Sequence, residues 1–417
     1  MIGGLMKTTS RFALATAAVG LMASGAMAAD LGGNCCADLE ERVAELEATT
    51  ARKGNRKVSL TVYGQVNKAV MWHDSEEIDA YRSEELSVYD NQAATTRFGF
   101  RGSAKIRPDL EVGYNIEVGL NENKNTSSNN ANSALNIRHS YFYMDDTRLG
   151  RLSVGQTSQV TDGLFGINLG NTMLTQLGTD QDGYLGQAFE NTFGDVYDGA
   201  RRQGIYYRSP TVAGFVLGTG YSHQTRNNNA IDSTDYWEVA LRYAGEFNGV
   251  RIAAGIGYRN EDNEITGIEN DVWLGSASTM HVPTGLFISG GYGDIDSNDV
   301  FTSQKGWWLI AGIQRNFFGP GATTLYGEYG DVNYGVQSIL ADEDDPLVSD
   351  GTSRRSDGTY WGLGVVQTVD AAAMDLYLQY RKYDIDGGTF IERETSEIFT
   401  GPGSDTSVIK AGAIIRF

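Results

Sequence analysis

From residue 58 onward, apolar side chains recur at every second position, and the links between these runs are alternately short and long. Val58, Leu60, Val62, Val66, Val70 and Trp72 share one parity, with Lys68 the exception. Phe98, Phe100, Ala104 and Ile106 oppose Arg97, Arg101 and Lys105, and Leu110, Val112, Ile116 and Val118 oppose Glu111, Asn115 and Glu117. A period of two is the signature of a strand with unlike faces, and it suits a soluble sandwich and a membrane barrel equally. The links decide between them. Short ones fall at 107–109, 145–150, 210–214, 245–249, 282–285, 318–321 and 370–372. Long ones fall at 73–94, 121–133, 157–202, 223–234, 260–269, 294–304, 331–358 and 385–406. Strict alternation of this kind belongs to a meander with tight turns at one end and long loops at the other. Seven turns and eight loops require sixteen strands, so residues 57–417 are expected to form an all-β, 16-stranded antiparallel transmembrane β-barrel. Fourteen or eighteen strands stay open, because the seventh and eighth loops have room for another hairpin.

Abundant Gly (52) and Tyr (22) with scarce Pro (6) fit many strands joined by glycine-bearing turns. Residues 12–28 form the one apolar run suited to insertion. Lys7 and Arg11 precede it and Ala26, Met27 and Ala28 close it, which reads as a signal peptide over 1–28. Its removal takes the formal charge from -20 to -22, since it carries those two cations and no acid. A strongly acidic exported chain excludes nucleic acid as a partner. Cys35 and Cys36 are adjacent, and either interchain bridging or exposed thiols suits them. Residues 29–56 read as a periplasmic segment with a coiled-coil-like helix over 38–50, where Asp38 caps, Glu41 completes the capping box, and Leu39, Val43, Leu46 and Thr50 form a seam. Two heptads are too short to stand alone, so the helix is expected to pair with copies of itself. Tyr and Trp near strand ends, including Trp72, Tyr141, Tyr143, Tyr221, Trp237, Tyr258, Tyr292, Trp307 and Tyr380, are expected to form interfacial girdles.

The link at 157–202 is far longer than a connection needs to be, and such loops are usually functional. It carries Asp162, Asp180, Asp182, Glu190, Asp195 and Asp198, and is expected to fold into the barrel and narrow it. If the apolar parity meets lipid, the opposite parity lines water. That puts Arg97, Arg101, Lys105, Arg138, Arg202 and Arg208 on the inner wall, with Arg242 and Arg251. Acids on the loop facing bases on the wall would set a transverse field across the waist. The net charge and outer-loop acids such as Asp342 and Asp345 predict mild cation selectivity.

No other chemistry is advertised. Asp294, Asp296 and Asn298 open like a calcium loop, but Asp299 stands where glycine is required and Lys305 where glutamate is. His73, His139, His223 and His281 lack metal-ligand spacing, and no nucleophile motif or phosphate loop occurs, so neither cofactor, metal nor catalysis is expected.

Several segments resemble the porins of Gram-negative bacteria, specifically the alphaproteobacterial porin family. They are NCCADLEERVAELEATTARKGNRKVSLTVYGQVNKAVMW from Asn34, TRFGFRGSAKI from Thr96, IRHSYFYMDDTRLGRLSVGQ from Ile137, ARRQGIYYRSPTVAGFVLGTGYS from Ala200, and the closing strand ending on Phe417. The resemblance implies an outer-membrane homotrimer of sixteen-stranded barrels passing ions and small hydrophilic solutes, surrounded by outer-membrane lipid. It also implies a third loop that makes the constriction, and a terminal Phe417 that aids assembly. The third loop departs from the enterobacterial pattern, reading DGLFGINLG from Asp162. An alternative is an anchoring protein acting through its periplasmic helix, which at roughly 20 Å is too short to cross the periplasm.

Overall fold

The computed structural model describes residues 57–75, 85–120, 135–176, 197–225, 233–298, 303–338, 353–385, 389–391, 398–400 and 404–417. The expected signal peptide and the helix at 38–50 lie outside them. The barrel strands are β1 Thr61–Ser75, β2 Arg97–Arg107, β3 Leu110–Leu120, β4 Leu135–Asp146, β5 Gly150–Ser158, β6 Arg201–Arg208, β7 Phe215–Thr225 and β8 Ser233–Phe247. They continue with β9 Val250–Asn263, β10 Ile268–His281, β11 Leu286–Ser297, β12 Gln304–Arg315, β13 Thr323–Ser338, β14 Ser353–Val369, β15 Met374–Ile385 and β16 Ser404–Arg416. Each pairs antiparallel with its neighbours in chain order.

β16 pairs back on β1, from Gln65↔Arg416 to Ser75↔Thr406, and this closes the barrel at sixteen strands. The main chain of Phe417 completes the seam, exchanging hydrogen bonds with Gly64 at 2.9 and 3.0 Å. A side chain on Gly64 would strike the Phe417 ring at 2.5 Å, so the terminal ring sits where only glycine leaves room. Closure leaves no sheet edge in lipid, the condition for an all-strand membrane span.

Three short strands lie in the long loops. Glu85–Asp90 extends the sheet beside β1, and Thr389–Ile391 pairs with Ile398–Thr400 within the eighth loop. That hairpin is an outgrowth of β14, not a seventeenth and eighteenth stave. The tight turns follow turn chemistry: Asn248 and Gly249 join β8 to β9 with φ of 50° and 76°, the left-handed pair that a two-residue hairpin requires.

Alternation holds around the cylinder. Outward residues such as Val62, Val66, Ile116, Phe142, Leu217, Ile256, Ile288, Leu309, Leu325 and Leu376 are exposed and apolar. One outward aromatic stands near the outer end of each of nine consecutive strands: Tyr221, Trp237, Tyr258, Trp273, Tyr292, Trp307, Tyr329, Trp361 and Tyr380. Trp237, Tyr258 and Trp273 stack in series at 4.9 and 4.8 Å. Tyr141 and Tyr143 do not join this girdle. They share the inner parity of β4, where the Tyr143 hydroxyl donates to Glu111 and its ring lies under Arg151.

Candidate functional site

The loop after β5 turns into the barrel and runs along the inner wall from β8 to β15. Its root is fixed by charge. Glu238 on β8 accepts from the main-chain amides of Val160 (2.7 Å) and Thr161 (3.0 Å) and from the Thr161 hydroxyl (2.6 Å). Arg242, two inward positions below it past Ala240, donates to the carbonyl oxygens of Val160 (3.0 Å) and Asp162 (2.6 Å). Arg259 on β9 reaches the carbonyl of Tyr197 on the returning limb at 3.2 Å. Asp198 accepts from the Phe165 amide at 2.8 Å and so ties the two limbs together.

Beyond the root, the loop's apolar side chains sink into gaps left by wall glycines. Added side chains on Gly255 and Gly257 would meet Leu164 at 2.4 and 2.6 Å. On Gly293 one would meet the Tyr197 ring at 2.3 Å, and on Gly218 one would meet Val160 at 3.0 Å. The loop thus lies flush against the wall instead of standing off it. Short polar side chains satisfy its main chain along the way. Ser276 and Ser278 accept from the amides of Ile167 and Leu169 at 2.9 and 3.0 Å, Trp308 donates to the Phe165 carbonyl at 2.9 Å, and Thr324 donates to that of Gly170 at 2.8 Å. Burial pushes the Tyr197 hydroxyl well above the usual phenol range.

The described limb ends in the short helix Met173–Gln176. The Thr175 carbonyl accepts from Gln379 (2.7 Å) and Arg381 (2.8 Å), and the Leu174 carbonyl accepts from Asn91 (2.9 Å).

The cations expected on the wall are spread along it. Arg97 and Arg138 converge on Glu117 at 3.8 and 2.8 Å, with His139 at 3.9 Å and the Tyr63 hydroxyl at 3.0 Å. Arg201 lies within Coulomb range of Arg97 and Arg138. Arg138 reaches the interior through a bulge: Glu117 pairs with His139 and Val118 with Ile137, so one extra residue on β4 resets the parity. Counted from Phe142 and Met144, simple alternation would have turned it outward. Arg101 stacks on the Tyr63 ring at 4.9 Å and Arg202 on the Tyr236 ring at 3.9 Å. Lys105 is exposed. At about 3.3 Å per residue, Arg101 and Lys105 stand roughly 13 and 26 Å along β2 from Arg97, which makes a file and not a ring. Arg208 lies within Coulomb range of Arg151 and Asp162.

Of the six loop acids, Asp162 and Asp198 are described, and Asp162 is within Coulomb range of Arg201. Asp180, Asp182, Glu190 and Asp195 lie outside the described residues. Sequence reading gave Glu117, Glu238, Glu328 and the wall glycines no role. Their signal was the inner parity they share with the arginines. Among the described residues no cluster of three or more His, Cys, Asp or Glu could hold a metal.

The family model for the Gram-negative porin matches residues 15–388. A comparison of the sequence with curated proteins finds no match. The fold is similar to the anion-selective porin from Comamonas acidovorans, with a TM-score of 0.59 at 16% identity over 86% of this chain and 100% of that one. It is similar to the outer membrane channel DcaP of Acinetobacter baumannii, at 0.54 and 13% over 88% and 99%. It is also similar to the trimer form of OmpT of Vibrio cholerae, at 0.52 and 14% over 86% and 99%.

Proposed function

The chain belongs to the Gram-negative porin family and forms an outer-membrane diffusion channel, and on that premise we propose that ions and small hydrophilic solutes cross it through a waist made by the third loop. The carrying observation is the path of that loop, bound along the inner wall from Glu238 on β8 to Arg381 on β15, with Arg97, Arg138 and Glu117 on the facing side. Solutes passing between the two surfaces exchange water for fixed charges of both signs, which favours polar molecules and penalises apolar ones. Acids of the outer loops favour cations at the mouth while the wall arginines oppose them at the waist, so the net preference is mild and cationic. Deleting part of 164–187 tests the reading in a planar bilayer. The expected result is higher single-channel conductance, and an unchanged pore would remove the loop from the constriction.

The same reading makes the protein a homotrimer of the alphaproteobacterial branch, exported by its signal peptide, with the helix at 38–50 in the periplasm. Two features of the outer face support trimerisation. The unbroken aromatic row is confined to β7–β15. At its level the other strands carry the aromatics Trp72 and Phe98 and otherwise present Leu86, Val88, Val118, Ile137, Ile205 and Ile409. On this same face Lys68 pairs with Asp90 at 3.5 Å, halfway along β1 between Gly64 and Trp72. A lysine at mid-membrane costs about 2–4 kcal/mol against lipid, which a protein neighbour relieves.

A further inference from the structure

The four-residue helix Met173–Gln176 is too short to satisfy its own carbonyl groups, so whatever takes them decides where it sits. Two of its last carbonyls, Leu174 and Thr175, are taken by side chains of Asn91, Gln379 and Arg381. The Arg381 group is itself locked. Its guanidinium makes a two-pronged contact with Glu328 on β13, Nε and Nη2 each at 2.9 Å, while Nη1 donates to the Tyr383 hydroxyl at 3.0 Å and the Tyr360 ring lies beneath at 4.7 Å. Gln379 bonds the same Glu328 carboxylate at 2.6 Å. Bidentate arginine–carboxylate pairs are among the strongest and most directional contacts a protein makes. Arg381 cannot leave without stranding Glu328, so the donors offered to Thr175 are fixed in space. The root of the limb is held by its covalent continuity with β5 as well as by Glu238. At Met173–Gln176 the described contacts to the wall are made by side chains.

We propose that Gln379 and Arg381, backed by Glu328, are positioning residues that set the width of the waist by holding the Thr175 carbonyl, and with it the Met173–Gln176 helix of the third loop, against β13 and β15. They act through the loop, not by touching solute. This rests on the third loop being the constriction.

The test is single-channel conductance and open-channel current noise of Gln379→Leu, Arg381→Gln and Arg381→Lys in a planar bilayer, with heat-dependent electrophoretic mobility reporting the intact barrel and the 164–187 deletion as reference. Releasing the Met173–Gln176 helix is expected to change conductance on the order of 1.5-fold, since current follows the open cross-section, and to broaden the noise. Lysine, which keeps the charge but not the fork, falls between. If Arg381→Gln does not fold, Gln379→Leu decides alone, because it removes one bond to Thr175 and no charge. Wild-type conductance and noise in the folded variants, with the deletion still raising conductance, would overturn the clamp and leave the constriction standing. An unaltered conductance in the deletion itself would remove both.

Discussion

At the scale of single residues, the seating of the third loop against the wall depends as much on absent side chains as on charged ones. Gly293→Ala puts a carbon 2.3 Å from the Tyr197 ring, well inside contact distance, and rigid sheet on one side leaves the loop as the part that moves. The variant is expected to form a barrel and to conduct less, by roughly a fifth to a half, as the loop is lifted from the wall toward the pore axis. Single-channel recording checks this, and an equal or larger conductance would count against the trough. Arg101 and Lys105 make no acid contact among the described residues, so replacing both with Gln removes two wall cations without breaking an ion pair. The reversal potential under a salt gradient is expected to move toward greater cation preference with little loss of conductance.

At the scale of elements, the alternation of link lengths carried the fold. It gave the sixteen strands, and even the short β5 emerged where the parity placed it. What alternation misses is any element that changes parity or adds pairing without a full run. The bulge at Arg138 shows the first, since its effect on facing is visible only against the partner strand. The strand Glu85–Asp90 shows the second, lying inside a link that read as loop. Of the candidate site the sequence offered a long acidic loop and a basic wall, and two of the six loop acids, Asp162 and Asp198, fall among the described residues. It was not legible that Arg242, Arg259 and Arg381 bind the loop's main chain, because that depends on which rungs the loop crosses. The bulge offers its own test. Deleting Arg138 should restore regular β3–β4 pairing, leave a heat-modifiable barrel, and shift selectivity toward cations by removing one of the two arginines on Glu117, with Arg97 remaining. Loss of the barrel would mean that the extra residue is needed for closure.

At the scale of the molecule, the cylinder divides into two halves. Strands β7–β15 carry the loop inside and the aromatic row outside, whereas β1–β4 carry the Arg97–Arg138 wall inside and, outside, Lys68 paired with the buried Asp90 of the adjoining short strand. If the protein is the proposed trimer, arginine placed outward at Val66 should break it into monomers, while arginine at Leu325 on the other half should leave it intact, as read by electrophoresis of unheated samples. The seating of the basic wall has a further consequence. In the proposed three-fold assembly built on that half, the three walls would stand back to back around one axis, and their potentials would add to the extent that the salt in the pores leaves them unscreened. Each protomer would then face the repulsion of two others. Glu117 between Arg97 and Arg138, and Asp375 against Arg416 at 2.7 Å, cancel part of that mutual charge within each protomer, before it reaches a neighbour.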